Sequence, residues 1–270
     1  MFTKRIRAKK ILNRSGIPGC HYAVNPYTGC SNNCTYCYAS FMMRFIKTDR
    51  NWGDFVFIKT NAPFLIRKEL KRIRKGKICI GTVCDPYLKL ESRYRITRQI
   101  LEDLAMIKNP ISIQTKASLI LRDLDIIKQL KNVEVLITIT TTDDRVRMIL
   151  EPNASSIKER ERVIKELVGL EIPVHIFAGP LLPGLSDDQD SIKRLCDLVI
   201  SLKTDSILFD TLNPYPLVRK RMMIRYQKFF PEHLNFLSQT FKNQRSYQQE
   251  IRKIILKTVR GYRINTDILF

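Results

Sequence analysis

Cys30, Cys34 and Cys37 fall within eight residues of one another in the stretch "NPYTGCSNNCTYCYA", Asn25 to Ala39. Thiolates are the soft ligands of zinc and of iron–sulfur centres, so metal ligation is the first chemistry this crowding suggests. A structural zinc site takes four ligands, usually as two separated pairs, and no second C-x₂-C or H-x₃₋₅-H pair follows. Cys20 and His21 could complete a zinc site from about ten residues upstream. A cubane iron–sulfur cluster held by three thiolates instead leaves one iron without a protein ligand, which suits catalysis better than electron carriage. Spacing alone leaves both chemistries open.

Three thiols need a frame, and the rest of the chain supplies a periodic one. Between Lys77 and Asn213 short apolar runs alternate with helical patterns. "KICIGTV" leads to a helix from about Ser92 to Lys108, "ISIQTKA" to one from Leu119 to Leu130, and "VEVLITITT" to one from Ser156 to Leu170. "IPVHIFAG" leads to a helix from Asp187 to Leu202, and "DSILFDTLN" closes the series. With a first strand near His21 to Thr28 these make about six βα units, an α/β fold with a parallel sheet and helices outside. Within the strands Val135, Ile137 and Ile139 oppose Leu136, Thr138 and Thr140, and Ile111 and Ile113 oppose Ser112, Gln114 and Lys116. An ordinary eight-stranded barrel is filled with Val, Ile and Leu, so polar inner columns predict an open lumen that holds a ligand. "NWGDFVFIKTN" predicts a hairpin or loop, and "APFLIRKELKRIRKGK" a basic helix ending near Gly76. The expected organisation is a basic N-terminal segment (1–20), a core (21–215) and a basic helical C-terminal extension (216–270), whose stretch from Val218 to Arg263 carries twelve Lys/Arg against two acidic residues.

Lys and Arg outnumber Asp and Glu by 47 to 26, a net charge of +21 that favours a polyanionic partner such as nucleic acid. A generally lysine-rich proteome would give the same balance. Seven cysteines without an export signal argue for reduced thiols rather than a disulfide framework. No run reaches the roughly 18 apolar residues of a membrane span, so the expectation is a soluble, cytoplasmic protein without membrane partners.

The spacing C-x₃-C-x₂-C, with aromatic Tyr36 before the third cysteine, resembles the signature of the radical S-adenosylmethionine (SAM) enzymes. "GTVCDPYLKLES", "RQILEDL", "IQTKASLILRDLDII", "TTTDD…LEPNASSIKER" and "GPLLPGLSD" are similar, in order, to blocks of the spore photoproduct lyase-like branch, from about His21 to Asn213. The resemblance implies a partial (β/α)₆ TIM-type barrel and a [4Fe–4S] cluster on Cys30, Cys34 and Cys37. SAM would chelate the open iron, and its reductive cleavage would yield a 5′-deoxyadenosyl radical for hydrogen abstraction from a substrate. It also implies a lyase-like reaction, nucleic acid as substrate, and an electron donor such as a flavodoxin or ferredoxin. The alternatives are a radical SAM enzyme acting on a protein or small molecule, and a non-catalytic zinc-bearing nucleic-acid-binding module.

The same resemblance assigns Tyr36, Thr82, Lys116, Thr140 and Arg160 to cofactor binding. Lys116 ends an inward-facing polar column, Thr140 also reads as a β-branched strand residue, and Arg160 in "IKERERV" reads equally well as a solvated helix charge. Thr82 and Cys84 would share a face by the strand period. The branch's enzyme returns a hydrogen atom from a cysteine in this region. Here threonine stands where that donor would fall, leaving Cys84 as the catalytic candidate and the lyase's own repair reaction in question. Cys79 and Cys196 read as core residues. If the three clustered thiolates act jointly, Cys34→Ala should lose most of its iron on anaerobic reconstitution, together with SAM cleavage; full iron retention would overturn the ligand set.

Overall fold

Parallel strands cannot be joined by a tight turn, so each connection must cross back over the sheet. The computed structural model, which describes residues 1–270, follows that rule through its centre. Its strands are β1 (Phe2–Ile6), β2 (Leu12–Arg14), β3 (Tyr22–Val24), β4 (Tyr27–Thr28), β5 (Phe55–Lys59), β6 (Ile78–Ile80), β7 (Ile111–Thr115), β8 (Val133–Thr138), β9 (Val174–Ala178), β10 (Ser206–Phe209) and β11 (Asn265–Ile268). The helices are α1 (Ala62–Leu70), α2 (Glu91–Tyr94), α3 (Ile96–Leu104), α4 (Leu124–Ile127), α5 (Asp144–Leu150), α6 (Ile157–Gly169), α7 (Gln189–Leu202), α8 (Pro216–Phe229), α9 (Leu234–Lys242) and α10 (Gln244–Val259). An eight-stranded sheet runs β11-β10-β9-β8-β7-β6-β3-β2, and its six central strands are mutually parallel. These are the six strands expected from the alternating text, in chain order across the sheet, and the α/β architecture is that of a partial barrel.

The strand faces divide as their alternation requires. Ile111 and Ile113 on β7, Val135 and Ile137 on β8, and Val174 and Ile176 on β9 are at most 2% exposed and pack into the main core. The intervening residues line a cavity inside the curved sheet.

Several local expectations give way to side-chain chemistry. The helix expected from Ser92 to Lys108 divides at Arg95, which lies at φ +50°. There the Glu91 carboxylate accepts the N–H groups of Ile96 and Thr97 and so caps α3. The helix expected from Leu119 is a 3₁₀ segment, Ser118–Asp123, followed by the single turn α4. The basic helix ends at Leu70 rather than near Gly76, in turns where Arg72 and Ile73 donate to Glu69 and Leu70 carbonyls. Helix α5 was not expected; its start is marked by Asp143, whose carboxylate accepts from the Arg145 N–H at 2.7 Å.

The stretch expected as a hairpin or loop supplies β5, the middle strand of a separate three-stranded sheet. It pairs parallel with β1 and antiparallel with β4, partners distant in sequence that no local turn signal announces. At the other end of the chain α10 packs on α7, and β11 adds to the main sheet beside β10 in the register Ser206↔Asn265. Tyr247 on α10 donates to Asp187 at 2.9 Å and Gln248 to Thr211 at 2.9 Å, both in loops above the sheet. No helix is long and apolar enough to cross a membrane.

Candidate active site

The C-terminal ends of the parallel strands open onto a cavity of about 570 Å³. Ser112, Gln114 and Lys116 face it from β7 and its end, Leu136 and Thr138 from β8, and Asp210 from the end of β10. The polar columns read from the sequence therefore do face the lumen. Burial pushes the Asp210 carboxyl up to about 6, opposed by the Thr211 N–H it accepts. The hydroxyl of Thr138 is buried in the wall with no hydrogen-bond partner.

Cys30, Cys34 and Cys37 all line this cavity, as do Tyr36, Thr82, Cys84 and Lys116. Burial raises the Cys30 thiol well above its ordinary range, and neighbouring Cys37 adds to the effect. Burial likewise lifts Cys34 to about 12, against the nearby charge of Lys116. Loading a metal centre must therefore displace thiol protons. No three His, Cys, Asp or Glu side chains converge where a single ion would sit. What the structure shows of the three thiols is that they line the same cavity.

The thiol-bearing loop has no regular secondary structure, and residues from several strand ends hold it in place. Asn32 donates to Asp85 at 2.9 Å, and the same carboxylate accepts from Thr115 at 2.7 Å and from the Lys116 N–H at 2.9 Å. The Thr35 N–H donates to Leu150 O at 2.7 Å, and Asn153 donates to Ser31 O at 2.9 Å. Asn33, at φ +53°, accepts from Arg221 on α8. Gly53 makes room for it: a Cβ there would lie 2.0 Å from Asn33 Oδ1.

Behind the loop lies a buried knot centred on Glu151. Tyr36 donates to Glu151, Thr140 donates to it at 3.0 Å, and Arg160 pairs with its other oxygen. Arg160 also donates to Thr138 O at 2.8 Å and Ser155 O at 3.0 Å. Burial alone would raise the Glu151 carboxyl, but Arg160, then Lys116, bring it net below the usual carboxylate range.

The sequence-predicted residues thus separate into two groups. Lys116 reaches the cavity with its ammonium 5.8 Å from the centre of the Tyr36 ring. Thr140 and Arg160, both assigned to cofactor binding, do not line the cavity; each is about 1% exposed and committed to Glu151, so Thr140 does not project inward and the alternative of Arg160 as a solvated charge falls away. Tyr36 touches both groups. Thr82 and Cys84 lie beyond the end of β6 in irregular backbone, because Gly81 at φ +96° breaks the strand, so the period of two does not apply to them. Asn25 joins them, donating to Thr82 Oγ1 at 2.8 Å while its carbonyl accepts the Cys84 thiol at 3.6 Å. Burial holds the Cys84 thiol at about 12. Cys196 is buried in the core, whereas Cys79 is only half-buried and faces the cavity. Sequence reasoning did not single out Glu151, Asp85, Asn25 or Arg221. Glu151 and Asp85 sit inside the quoted blocks, but nothing in the text marks which carboxylates are buried.

A family model described as the Radical SAM superfamily matches residues 24–196. An uncharacterized protein of Methanocaldococcus jannaschii is 37% identical over 183 residues, covering 68% of this chain and 69% of its own. A protein of Pseudomonas phage M6 named Radical SAM Nalpha-GlyT isomerase is 24% identical over 84% of this chain and 47% of its own. Among solved structures, spore photoproduct lyase complexed with dinucleoside spore photoproduct superposes with a TM-score of 0.73 at 12% identity, covering 99% of this chain and 82% of that one. Streptococcus suis SuiB bound to S-adenosylmethionine superposes with a TM-score of 0.58 at 14% identity, covering 91% of this chain and 46% of that one.

The knot yields a pH prediction. A carboxylate whose folded pKa is depressed adds stability that is present above its unfolded value, about 4.3, and lost as pH falls through the folded one. Glu151→Gln should cost about 3–5 kcal/mol at pH 7, as for one partner of a buried ion pair, and should flatten the loss of stability below about pH 4. Urea unfolding at both pH values measures this; equal stabilities at pH 7 would remove Glu151 as the hub.

Proposed function

The chain belongs to the Radical SAM superfamily, and from that premise we propose that it abstracts hydrogen from carbon in a nucleic acid, in a reaction related to that of spore photoproduct lyase. The family uses a [4Fe–4S] cluster and SAM. Together these supply a 5′-deoxyadenosyl radical by one-electron reductive cleavage of SAM, the electron coming from a low-potential donor of the flavodoxin or ferredoxin kind. The single observation that carries the reading is the convergence of three thiols and Lys116 on one cavity.

In this reading Cys30, Cys34 and Cys37 would hold the cluster, and the hydrogen bonds of Asn32, Asn33 and Thr35 would keep their loop in place. Lys116 would offset the carboxylate of SAM. Tyr36, Thr140 and Arg160 act through Glu151, fixing the loop and the end of β8 rather than touching the cofactor. Thr82 and Asn25 shape the wall beside Cys84. With its thiol protonated at neutral pH, Cys84 is positioned to return a hydrogen atom: its S–H bond breaks, a C–H bond forms on the product radical, and a thiyl remains on the protein.

Two considerations support nucleic acid as the substrate class. The net charge of +21 favours a polyanion, and the exposed basic residues of α10, Arg252, Lys253 and Lys257, with those from Arg67 to Lys75, offer phosphate contacts. Spore photoproduct lyase, whose fold this chain shares, was solved complexed with dinucleoside spore photoproduct.

Lys116→Ala should weaken SAM binding about tenfold or more, roughly 1.4 kcal/mol, while iron content stays at the parent level. The substrate is tested by anaerobic reduction with SAM and deuterated DNA or RNA, intact and damaged, at low salt. Deuterium appearing in 5′-deoxyadenosine is the expected result. Failure of every nucleic acid to stimulate SAM cleavage would replace this reading with a protein or small-molecule substrate.

A further inference from the structure

Arg221 on α8 forms no ion pair with a carboxylate. Its Nη2 donates to Asn33 O at 3.2 Å and to Asn33 Oδ1 at 2.5 Å, while Nη1 is buried with no hydrogen-bond partner. Asn33 is the residue directly before Cys34, so the contact reaches the thiol-bearing loop from the C-terminal segment of the chain. A half-buried cation without a counter-ion is costly unless an anion offsets it. Burial lowers the guanidinium's hold on its proton, and Cys37, then Cys34, are the leading groups acting in the opposite sense. The Asp54 carboxylate acts in the same sense as the thiols but forms no ion pair with Arg221, and the contact with Asn33 sets this positive charge against the thiol-bearing loop.

We infer that Arg221 is a positioning residue that sets the reduction potential of the iron–sulfur centre, fixing the loop through Asn33 and placing its positive charge against the thiol-bearing loop. This rests on the superfamily's cofactor and on the three-cysteine ligand set, and is independent of which substrate the enzyme takes. A reduced cluster carries one more negative charge than the oxidised one, so a fixed cation nearby stabilises the reduced form more. Few groups around the loop share this role. Lys116 is the other cation close to the thiols, and it faces the open cavity, where a bound carboxylate would offset it. Arg160 is already neutralised by Glu151.

The test is an anaerobic redox titration of the reconstituted full-length protein, followed by electron paramagnetic resonance, with iron content measured alongside. Arg221→Gln keeps a donor toward Asn33 but removes the charge. At a fixed potential its reduced-to-oxidised ratio should fall about tenfold, roughly 59 mV for a one-electron couple. Arg221→Lys, which keeps the charge without the planar fork, should titrate close to the parent. Should the glutamine variant retain too little iron to titrate, Arg221→Met carries the same expectation with the packing of the side-chain stem preserved. An uncharged variant that loads its cluster and titrates at the parent potential overturns the inference, as does a lysine variant that shifts as far as the uncharged ones. A parent protein that assembles no cluster would instead refute the three-cysteine ligand set.

Discussion

An irregular loop that carries three thiols has to be buried at the mouth of a barrel without a hydrogen-bond ladder to satisfy it. Buried backbone and side-chain polar groups that lack partners are expensive, so each part of the loop must find one elsewhere. Asp85 beyond β6 holds Asn32 and the end of β7; Leu150 at the end of α5 takes the Thr35 N–H; Glu151 takes the Tyr36 hydroxyl; and Arg221 takes Asn33. The loop is thus the meeting point of connections that follow different strands, and its geometry depends on all of them being in place.

The same requirement explains why the lumen is not packed like an ordinary barrel. The faces of β7, β8 and β9 that meet the helices are aliphatic and almost fully buried. The inner faces carry Ser112, Gln114, Thr138 and Glu134, which a dry core could not accommodate without partners. Lower in the barrel Glu134 pairs with Lys77 at 2.9 Å, and His175 meets Ser206 at 2.8 Å, so the floor is closed by groups that satisfy one another. Nearer the thiols Gln114 and Lys116 line the open part of the cavity.

The C-terminal residues combine two physical roles. Their apolar face docks α10 on α7, and β11 extends the main sheet, while Arg and Lys on the other faces contribute to the positive surface. Arg221 is the point where that charge turns inward, which makes the C-terminal segment part of the candidate site's electrostatics.

What the sequence determined by itself is what repeats or crowds locally. The alternation of apolar runs with helical patterns identified six parallel strands, and the period of two in "ISIQTKA" and "VEVLITITT" their inner columns as far as Thr138, because side-chain alternation is imposed by the pleat whatever surrounds it. The C-x₃-C-x₂-C spacing put three thiols on one loop, and they line one cavity, because crowding within a loop is a local property. Only the tertiary structure decided how remote groups are used. Thr140 continues the inner column in sequence but turns to Glu151 in space, and Arg160, written as a surface helix charge, is buried against the same carboxylate. The pairing of β5 with β1 and the reach of Arg221 to Asn33 join segments 53 and 188 residues apart, in each case between groups whose local text looks like an ordinary loop or charge. Such partnerships arise from burial, which depends on what the whole chain packs around a group, and a linear pattern carries no record of it.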